Sequence, residues 1–98
     1  MSGAASTGVF HIVVSGRVQG VGYRYFTEYV ATRMGLAGWV RNQVNGDVEI
    51  LARLTEKERE SFVEQLRQGP PASRVTAVRV SPASAEAGCP DSGFSVRR

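Results

Sequence analysis

A stretch of nine residues, GRVQGVGYR at positions 16–24, combines three glycines with two arginines. Glycine lets the backbone turn tightly and lets its N–H groups approach a ligand. Where such a turn leads into a helix, unpaired N–H groups and the helix dipole form a site for an anion, above all phosphate or sulfate. We therefore predict an anion-binding loop. The residues expected to supply its backbone are Val18, Gln19, Gly20, Val21 and Gly22.

Arg24 falls in the first turn of the helix predicted to follow this loop. A cation is unfavourable there, because the helix dipole is positive at that end. A bound phosphate would reverse the penalty, since a guanidinium forms paired, charge-assisted hydrogen bonds with phosphate oxygens. The alternative is an arginine that extends into solvent from an ordinary helix start. The local sequence does not choose between the two.

A second polar residue, Asn42, interrupts an apolar row. Strand alternation places it on the same face as Val40 and Val44. The ordinary interpretation of an asparagine near a strand end is a side chain bonded to nearby backbone. Trp39 is expected to pack in the interior, and His11 is expected to be a structural histidine rather than a catalyst.

The elements that must position these residues begin with a strand. VFHIVV, at positions 9–14, is almost continuously apolar and β-branched, as in a central strand that is buried on both faces. A helix of about three turns follows the glycine-rich loop and ends near Gly35. Its apolar stripe is predicted to comprise Phe26, Tyr29, Val30 and Met34.

Asn42 lies in the first strand of a predicted hairpin. Residues 37–44 and 47–54 are both strand-like, and the Asn45–Gly46 pair between them is typical of a type I′ turn. The hairpin would bring the end of one strand to the start of the next.

A second helix and two more strands complete the chain. Thr55 to Glu58 forms a capping box, which marks a helix start. Strands are predicted at 74–80 and 94–98, with a polar loop at 81–93. The order βαββαβ plus a C-terminal strand, with two helices on one face of a mainly antiparallel sheet, predicts an α+β fold, a ferredoxin-like α/β sandwich. Many unrelated activities share this fold, so it does not set the function.

The composition indicates one globular domain over residues 9–98, preceded by a flexible tail at 1–8. The net charge of +3 and a pI of about 9.6 mildly favour anionic partners. Cys89 is the only cysteine, which excludes an internal disulfide, and we interpret it as an incidental thiol. The sequence contains no recognisable signal peptide or membrane-spanning run, so a cytoplasmic location is expected.

Two segments, GRVQGVGYR (16–24) and GWVRNQVNGDV (38–48), resemble the two signatures of the acylphosphatase family. The order of strands and helices extends the resemblance over roughly Val9 to Arg98. The resemblance implies a small ferredoxin-like enzyme that hydrolyses the carboxyl–phosphate bond of small-molecule acyl phosphates, with no cofactor and no metal. It also implies that inorganic phosphate is both product and competitive inhibitor, and we expect a monomer.

By the same resemblance, Arg24 binds the substrate phosphate together with the loop backbone, and Asn42 orients the attacking water. Gln43 stands where many relatives carry threonine, and Gly22 is an unusually small loop residue; neither departure removes a catalytic group. The leaving carboxylate, whose conjugate acid has a pKa of roughly 4, needs no general acid. Phosphoryl transfer by in-line attack requires mainly positioning and charge stabilisation, which amides and one arginine can supply.

Two other functions fit parts of the sequence. RNA-recognition domains share the βαββαβ order, but they stack bases on aromatic residues of the third strand, and residues 47–54 include none. A non-catalytic anion sensor could use the same glycine-rich loop. The pairing of Arg24 with Asn42 argues against a sensor, because a binder does not need to place a water. We therefore predict an acylphosphatase with no nucleic-acid or membrane partner.

Overall fold

The computed structural model describes residues 6–84 and 87–98, and within them five strands and two helices follow the predicted order. The elements are β1 (Thr7–Arg17), α1 (Tyr23–Met34), β2 (Ala37–Asn42), β3 (Val48–Thr55), α2 (Glu56–Gln68), β4 (Arg74–Ala83) and β5 (Phe94–Arg97). The sheet order is β4-β1-β3-β2-β5, and every pair is antiparallel except β2 with β5. The predicted α+β, ferredoxin-like architecture is confirmed.

Both helices pack on one face of the sheet. The main core joins buried side chains of α1 and α2 to alternate residues of β1 and β3, including Ile12, Val14 and Ile50. On the other face Val9, Trp39 and Leu51 form a smaller buried cluster. Each such side chain contributes roughly 1.5–3 kcal/mol when it leaves water. The expected packing role of Trp39 is confirmed.

Burial of β1 on both faces was predicted, and this is only partly correct. The residues that face the helices, Ile12 and Val14, are fully buried, but His11 and Val13 on the open face are only half-buried. The reason is that no helix covers that face. Among the described residues of β1 on the open face, only Val9 is buried, because it packs against Trp39 and Leu51.

The first helix has the predicted length and ends at Gly35, which adopts a φ of 71°. Its buried face differs from the predicted one, as the 60% exposure of Tyr29 shows. The ring of Tyr23 sets the rotation of α1, since it is buried in the core and its hydroxyl donates a 2.7 Å hydrogen bond to the carbonyl of Leu66. The buried residues of α1 are Tyr23, Thr27, Val30 and Ala31.

The β2–β3 hairpin forms as predicted, but the prediction of a type I′ turn is wrong. A type I′ turn requires two residues with positive φ, and Asn45 does not adopt one, whereas Gly46 has a φ of 101°. The Asn45 Oδ1 accepts a hydrogen bond from the N–H of Asp47 instead. The N–H of Gly46 donates to the carbonyl of Gln43 over 3.2 Å, and the N–H of Gln43 donates to the carbonyl of Asp47 over 2.8 Å.

The second helix begins with the predicted capping box. Thr55 Oγ1 accepts from the N–H of Glu58, and the Glu58 carboxylate accepts from the N–H of Thr55. A cap of this kind stabilises a helix by about 1 kcal/mol. Phe62 and Leu66 bury the helix against the core. Strand β4 extends to Ala83, beyond the predicted end, because its pairing with β1 continues as far as Val9.

The N-terminal tail predicted at 1–8 falls mainly outside the described residues, which begin at Ser6. Thr7 and Gly8 are already paired with Thr55 and Leu54 of β3. In the part of the chain that the structure describes, neither helix is long and apolar enough to cross a bilayer.

Candidate active site

A bulge interrupts the pairing of β1 with β4 just before the loop at residues 18–22. The register with β4 shifts between Ser15 and Gly16. Gly16 has a φ of 121°, and a Cβ there would lie 2.1 Å from the carbonyl oxygen of Arg74, so the close approach requires glycine. Because bulges bend a strand, this one directs the chain into the loop at residues 18–22.

The loop leads directly into the N-terminus of α1. Gly20 and Gly22 have φ values of 75° and 81°, a region that costs other L-residues roughly 1–2 kcal/mol. Gly22 is the N-cap of α1, no side chain caps the helix, and its first turn contains no acidic residue. The N–H groups of that turn therefore lack a capping side chain and lie at the positive end of the helix dipole.

A cavity of about 210 Å³ opens over this helix start. Asn42 and Arg24 both line it, although the two residues come from different elements. Gln19 and Val21, also predicted for the site, do not line the cavity: Val21 packs against the core and Gln19 turns toward the hairpin. Of the predicted site residues, those lining the cavity are Val18, Gly20, Gly22, Arg24 and Asn42. Tyr23 and Tyr25 also line it and were not predicted.

Arg24 is half-buried at the edge of the cavity. Its Nη1 donates a 2.8 Å hydrogen bond to the backbone carbonyl of Arg97 in β5. Within residues 6–84 and 87–98, no carboxylate lies within ion-pair distance of the Arg24 guanidinium. The side chain is therefore held by a neutral acceptor, and its charge is not neutralised by an acid.

Asn42 is the last residue of β2 and pairs with Val48. Its Oδ1 is buried and has no hydrogen-bond partner in the described part of the chain. The ordinary interpretation, in which this oxygen bonds to nearby backbone, is therefore wrong. The predicted apolar row ends at Asn42, because Val44 lies in the turn and is fully exposed. An unpaired buried acceptor costs about 1–3 kcal/mol, so a water or ligand in the cavity would relieve a real penalty.

The side chain of Gln19 joins the loop to the hairpin. Its Nε2 donates to the carbonyl of Gln43 over 2.7 Å and to the carbonyl of Asp47 over 2.9 Å. Sequence reasoning assigned only the backbone of Gln19 to the site. No spacing rule relates residue 19 to residues 43 and 47, so the sequence contained no signal for this contact.

A larger groove of about 620 Å³ adjoins the cavity. The two share Arg24 and Tyr25, and the rest of the groove is formed by Glu28 and by residues 94–98. Tyr25 is 65% exposed, which is unusual for a large aromatic side chain. The groove therefore provides both an aromatic ring and polar groups beside the cavity.

His11 is a structural residue, as predicted. Its Nε2 lies 2.6 Å from one oxygen of Glu49, and Arg41 Nε donates to the other oxygen over 2.6 Å. Burial of the Glu49 carboxyl opposes ionisation, but the hydrogen bonds with His11 and Arg41 and their charges outweigh it. The pKa of Glu49 is therefore lowered. The three side chains join β1, β2 and β3 on the open face of the sheet.

Cys89 lies away from the cavity, beside the carbonyl of Ala37. Burial, reinforced by Asp91 and opposed by Arg53, raises the pKa of the Cys89 thiol. The thiol form therefore dominates at neutral pH, which fits the predicted incidental role. Among the described residues, no group of three or more His, Cys, Asp or Glu side chains is arranged to hold a metal ion.

Comparison with known proteins provides evidence that does not depend on the geometry of the cavity. The acylphosphatase family model matches residues 10–96. The acylphosphatase of Bacillus subtilis is 50% identical over 72 residues, which cover 74% of this chain and 79% of the relative. That of Koribacter versatilis is 49% identical over 74 residues, or 76% of this chain and 67% of the relative. The crystal structure of an acylphosphatase from B. subtilis superposes with a TM-score of 0.84 at 42% identity, covering 95% of this chain and 100% of the other.

Both signature segments fall inside the matched region, and the similarity extends through the helices and strands on either side of them. The chain therefore belongs to the acylphosphatase family, whose known activity is the hydrolysis of acyl phosphates.

Proposed function

We propose that this chain hydrolyses acyl phosphates without a metal ion, by in-line attack of water on a phosphoryl group bound over the start of α1. Family membership supports the reaction class. The observation that carries the mechanism is the cavity at the start of α1, which Arg24 and Asn42 both line. In the described part of the chain, this helix start has no capping side chain, Arg24 has no acidic partner and Asn42 Oδ1 has no hydrogen-bond partner.

The phosphate-binding part of the site is the loop from Val18 to Gly22 together with Arg24. Backbone N–H groups of the loop and of the first helical turn bind the phosphoryl oxygens, and the helix dipole adds to the attraction. Arg24 contributes charge-assisted hydrogen bonds, which are roughly twice as strong as neutral ones. Stabilisation is needed mainly where charge spreads over the equatorial oxygens in the transition state.

Asn42 orients the attacking water. Its Oδ1 is an acceptor, so it binds one O–H of a water and leaves the lone pair of that water free to face phosphorus. The leaving group is a carboxylate, whose conjugate acid has a pKa of about 4, so it departs without a proton donor. The oxygen of the water bonds to phosphorus as the bond from phosphorus to the carboxylate oxygen breaks, and a proton of the water passes to a phosphoryl oxygen, so that a carboxylate and dihydrogen phosphate are released. The reaction then needs no titrating side chain, no cofactor and no metal.

The remaining properties follow from this chemistry. The substrate is a small acyl phosphate whose acyl group extends from the cavity into the adjoining groove. Inorganic phosphate, the product, competes for the same N–H groups and for Arg24. We also propose that the active unit is a monomer. A lone cysteine suits a reducing compartment, so we place the enzyme in the cytoplasm.

The direct test is hydrolysis of benzoyl phosphate by the purified protein, measured with and without EDTA. We expect turnover at the same rate in both conditions and competitive inhibition by inorganic phosphate. Loss of activity in EDTA would contradict the metal-independent mechanism. Phosphate binding with no turnover in either condition would instead identify the anion-sensing alternative.

A further inference from the structure

We infer that the side chain of Gln19 is a positioning residue, which holds Asn42 at the correct distance from the bound phosphoryl group. The inference rests on the proposed function, because it assigns Gln19 to the step in which Asn42 orients water. It concerns the Gln19 amide and not the loop backbone.

The amide of Gln19 spans the gap between two separate segments. Both of its hydrogen bonds go to backbone carbonyls of the hairpin turn, at Gln43 and Asp47. These two residues also close the turn on each other, through the 2.8 Å hydrogen bond from Gln43 N–H to Asp47 carbonyl. One side chain of the loop therefore contacts both ends of the turn.

Asn42 immediately precedes the turn that Gln19 contacts. Its backbone is paired with Val48 of β3 on one side and is followed by the carbonyl of Gln43, which Gln19 binds, on the other. The Asn42 side chain makes no hydrogen bond of its own within the described residues. Its position relative to the loop is therefore set by the backbone, and Gln19 is the side chain that fixes this part of the backbone against the loop.

The chemistry of the contact explains why glutamine suits residue 19. Two carbonyls require two donated protons, and a primary amide supplies both without adding a charge beside the phosphate. Methionine has a similar length but donates nothing. Glutamate has the same shape, but its ionised carboxylate would face two carbonyl oxygens and repel them.

The test compares Gln19→Met with the wild type on benzoyl phosphate, and the control is Gln65→Met. Gln65 is a partly buried glutamine of α2, and its amide contacts Met34 away from the cavity. Because errors of about 1 Å in a catalytic group can cost roughly 100-fold in rate, we expect Gln19→Met to lower kcat by about 10-fold or more. Inhibition by inorganic phosphate should stay within about twofold, since the N–H groups and Arg24 remain. The control should retain the wild-type kcat.

Gln19→Glu provides a second variant if Gln19→Met does not fold. Its kcat should be low at pH 7 and should recover partly as the pH falls toward about 4.3, where the carboxylic acid regains a proton to donate. The pH profile of the wild-type enzyme, measured in parallel, corrects for other titrations. A Gln19→Glu profile that parallels the wild-type profile would overturn the inference.

A double-mutant cycle tests whether Gln19 acts through Asn42. In an Asn42→Ala background the additional change Gln19→Met should have almost no further effect on kcat, because the group it positions is absent. Independent, multiplying losses would overturn the inference. So would a Gln19→Met variant with the wild-type kcat in an active enzyme. If the wild type itself does not hydrolyse acyl phosphates, the proposed function fails instead.

Discussion

At the scale of single residues, the proposed active site depends on two side chains. Among residues 6–84 and 87–98, no acid pairs with the charge of Arg24 and no donor satisfies the Oδ1 acceptor of Asn42. Both are unfavourable in the unliganded protein. The charge of Arg24 lies at the positive end of the helix dipole, and the buried Asn42 oxygen has lost its hydrogen bonds to water. A bound phosphate relieves the first and an ordered water relieves the second, so substitutions at the two positions should affect different measurements.

Substitution of Arg24 by alanine should remove both binding and catalysis. We expect kcat/KM on benzoyl phosphate to fall by at least about 100-fold, because a charged donor to the transition state is lost. The inhibition constant of inorganic phosphate should rise as well, and steady-state kinetics measure both effects. Arg33→Ala is the control, since Arg33 is an exposed arginine of the same helix that contacts Tyr29. Unchanged phosphate inhibition in Arg24→Ala would refute the assigned role.

Substitution of Asn42 by alanine should reduce turnover to a small residual rate while the affinity for inorganic phosphate survives. The variant should also be no less stable than the wild type, and up to about 1 kcal/mol more stable, because it removes a buried oxygen without a partner. Denaturant unfolding measures the stability, and product release assays measure the turnover. An Asn42→Ala enzyme with a normal kcat would show that water is positioned by another group.

How far the sequence predicts the site depends on the kind of contact. The loop and Asn42 were predictable, because glycine, arginine and an out-of-place amide each violate a local expectation. Gln19 was not, because a glutamine in a polar loop violates nothing, and its partners are two carbonyls that any sequence would provide. Contacts from a side chain to distant backbone depend on how the hairpin approaches the loop, which only the folded sheet determines.

At the scale of elements, α1 contributes to both the proposed phosphate site and the adjoining groove. Its N-terminus faces the cavity, while Tyr25 and Tyr29 lie exposed on its outer surface, 65% and 60% respectively. Only Tyr25 lines the groove. Tyr29 therefore serves as a matched control for any contribution of Tyr25 to substrate binding.

Tyr25 should favour acyl phosphates with aromatic acyl groups. We expect Tyr25→Ala to lower kcat/KM several-fold for benzoyl phosphate but to leave acetyl phosphate almost unaffected, since an aromatic contact contributes roughly 0.5–1.5 kcal/mol. Tyr29→Ala should change neither value. Equal losses on both substrates would mean that Tyr25 supports the cavity itself and not the acyl group.

The elements themselves were predictable from periodicity and caps, but their details depended on tertiary packing. The capping box at Thr55 is a local interaction, and it formed as predicted. The rotation of α1 was missed, because no core position was predicted for Tyr23, whose buried hydroxyl donates to the carbonyl of Leu66. The turn at Asn45 was mistaken for type I′, because its side chain bonded to the backbone of Asp47 instead.

At the scale of the whole molecule, the open face of the sheet is stabilised by charge. Glu49 is buried among strands, and its carboxylate binds His11 of β1 and Arg41 of β2. Its pKa is lower in the folded state than in the unfolded chain, where it has its ordinary value of 4.5. A lowered carboxyl pKa stabilises the protein above the unfolded value, and this stabilisation is lost as the pH falls through the folded value.

Acid should therefore weaken the wild type more than a Glu49→Gln variant. At pH 7 the variant should be less stable by at least about 1 kcal/mol, because charge-assisted hydrogen bonds are lost. The difference between the two proteins should shrink below about pH 4.5. Urea unfolding at a series of pH values measures both effects, with the exposed Glu60→Gln as control. A difference that stays constant down to pH 2 would contradict the assigned cause.

The hydrogen bond from Arg24 to the carbonyl of Arg97 ties the catalytic machinery to the end of the chain. Strand β5 has four residues, lies at the edge of the sheet and pairs only with β2. Short edge elements are among the first to open in native proteins. We expect activity to return during refolding only after β5 has docked, because the proposed role of Arg24 requires its guanidinium in this position. The delay between the recovery of the helical circular dichroism signal and the recovery of turnover would measure how long β5 takes to dock onto β2.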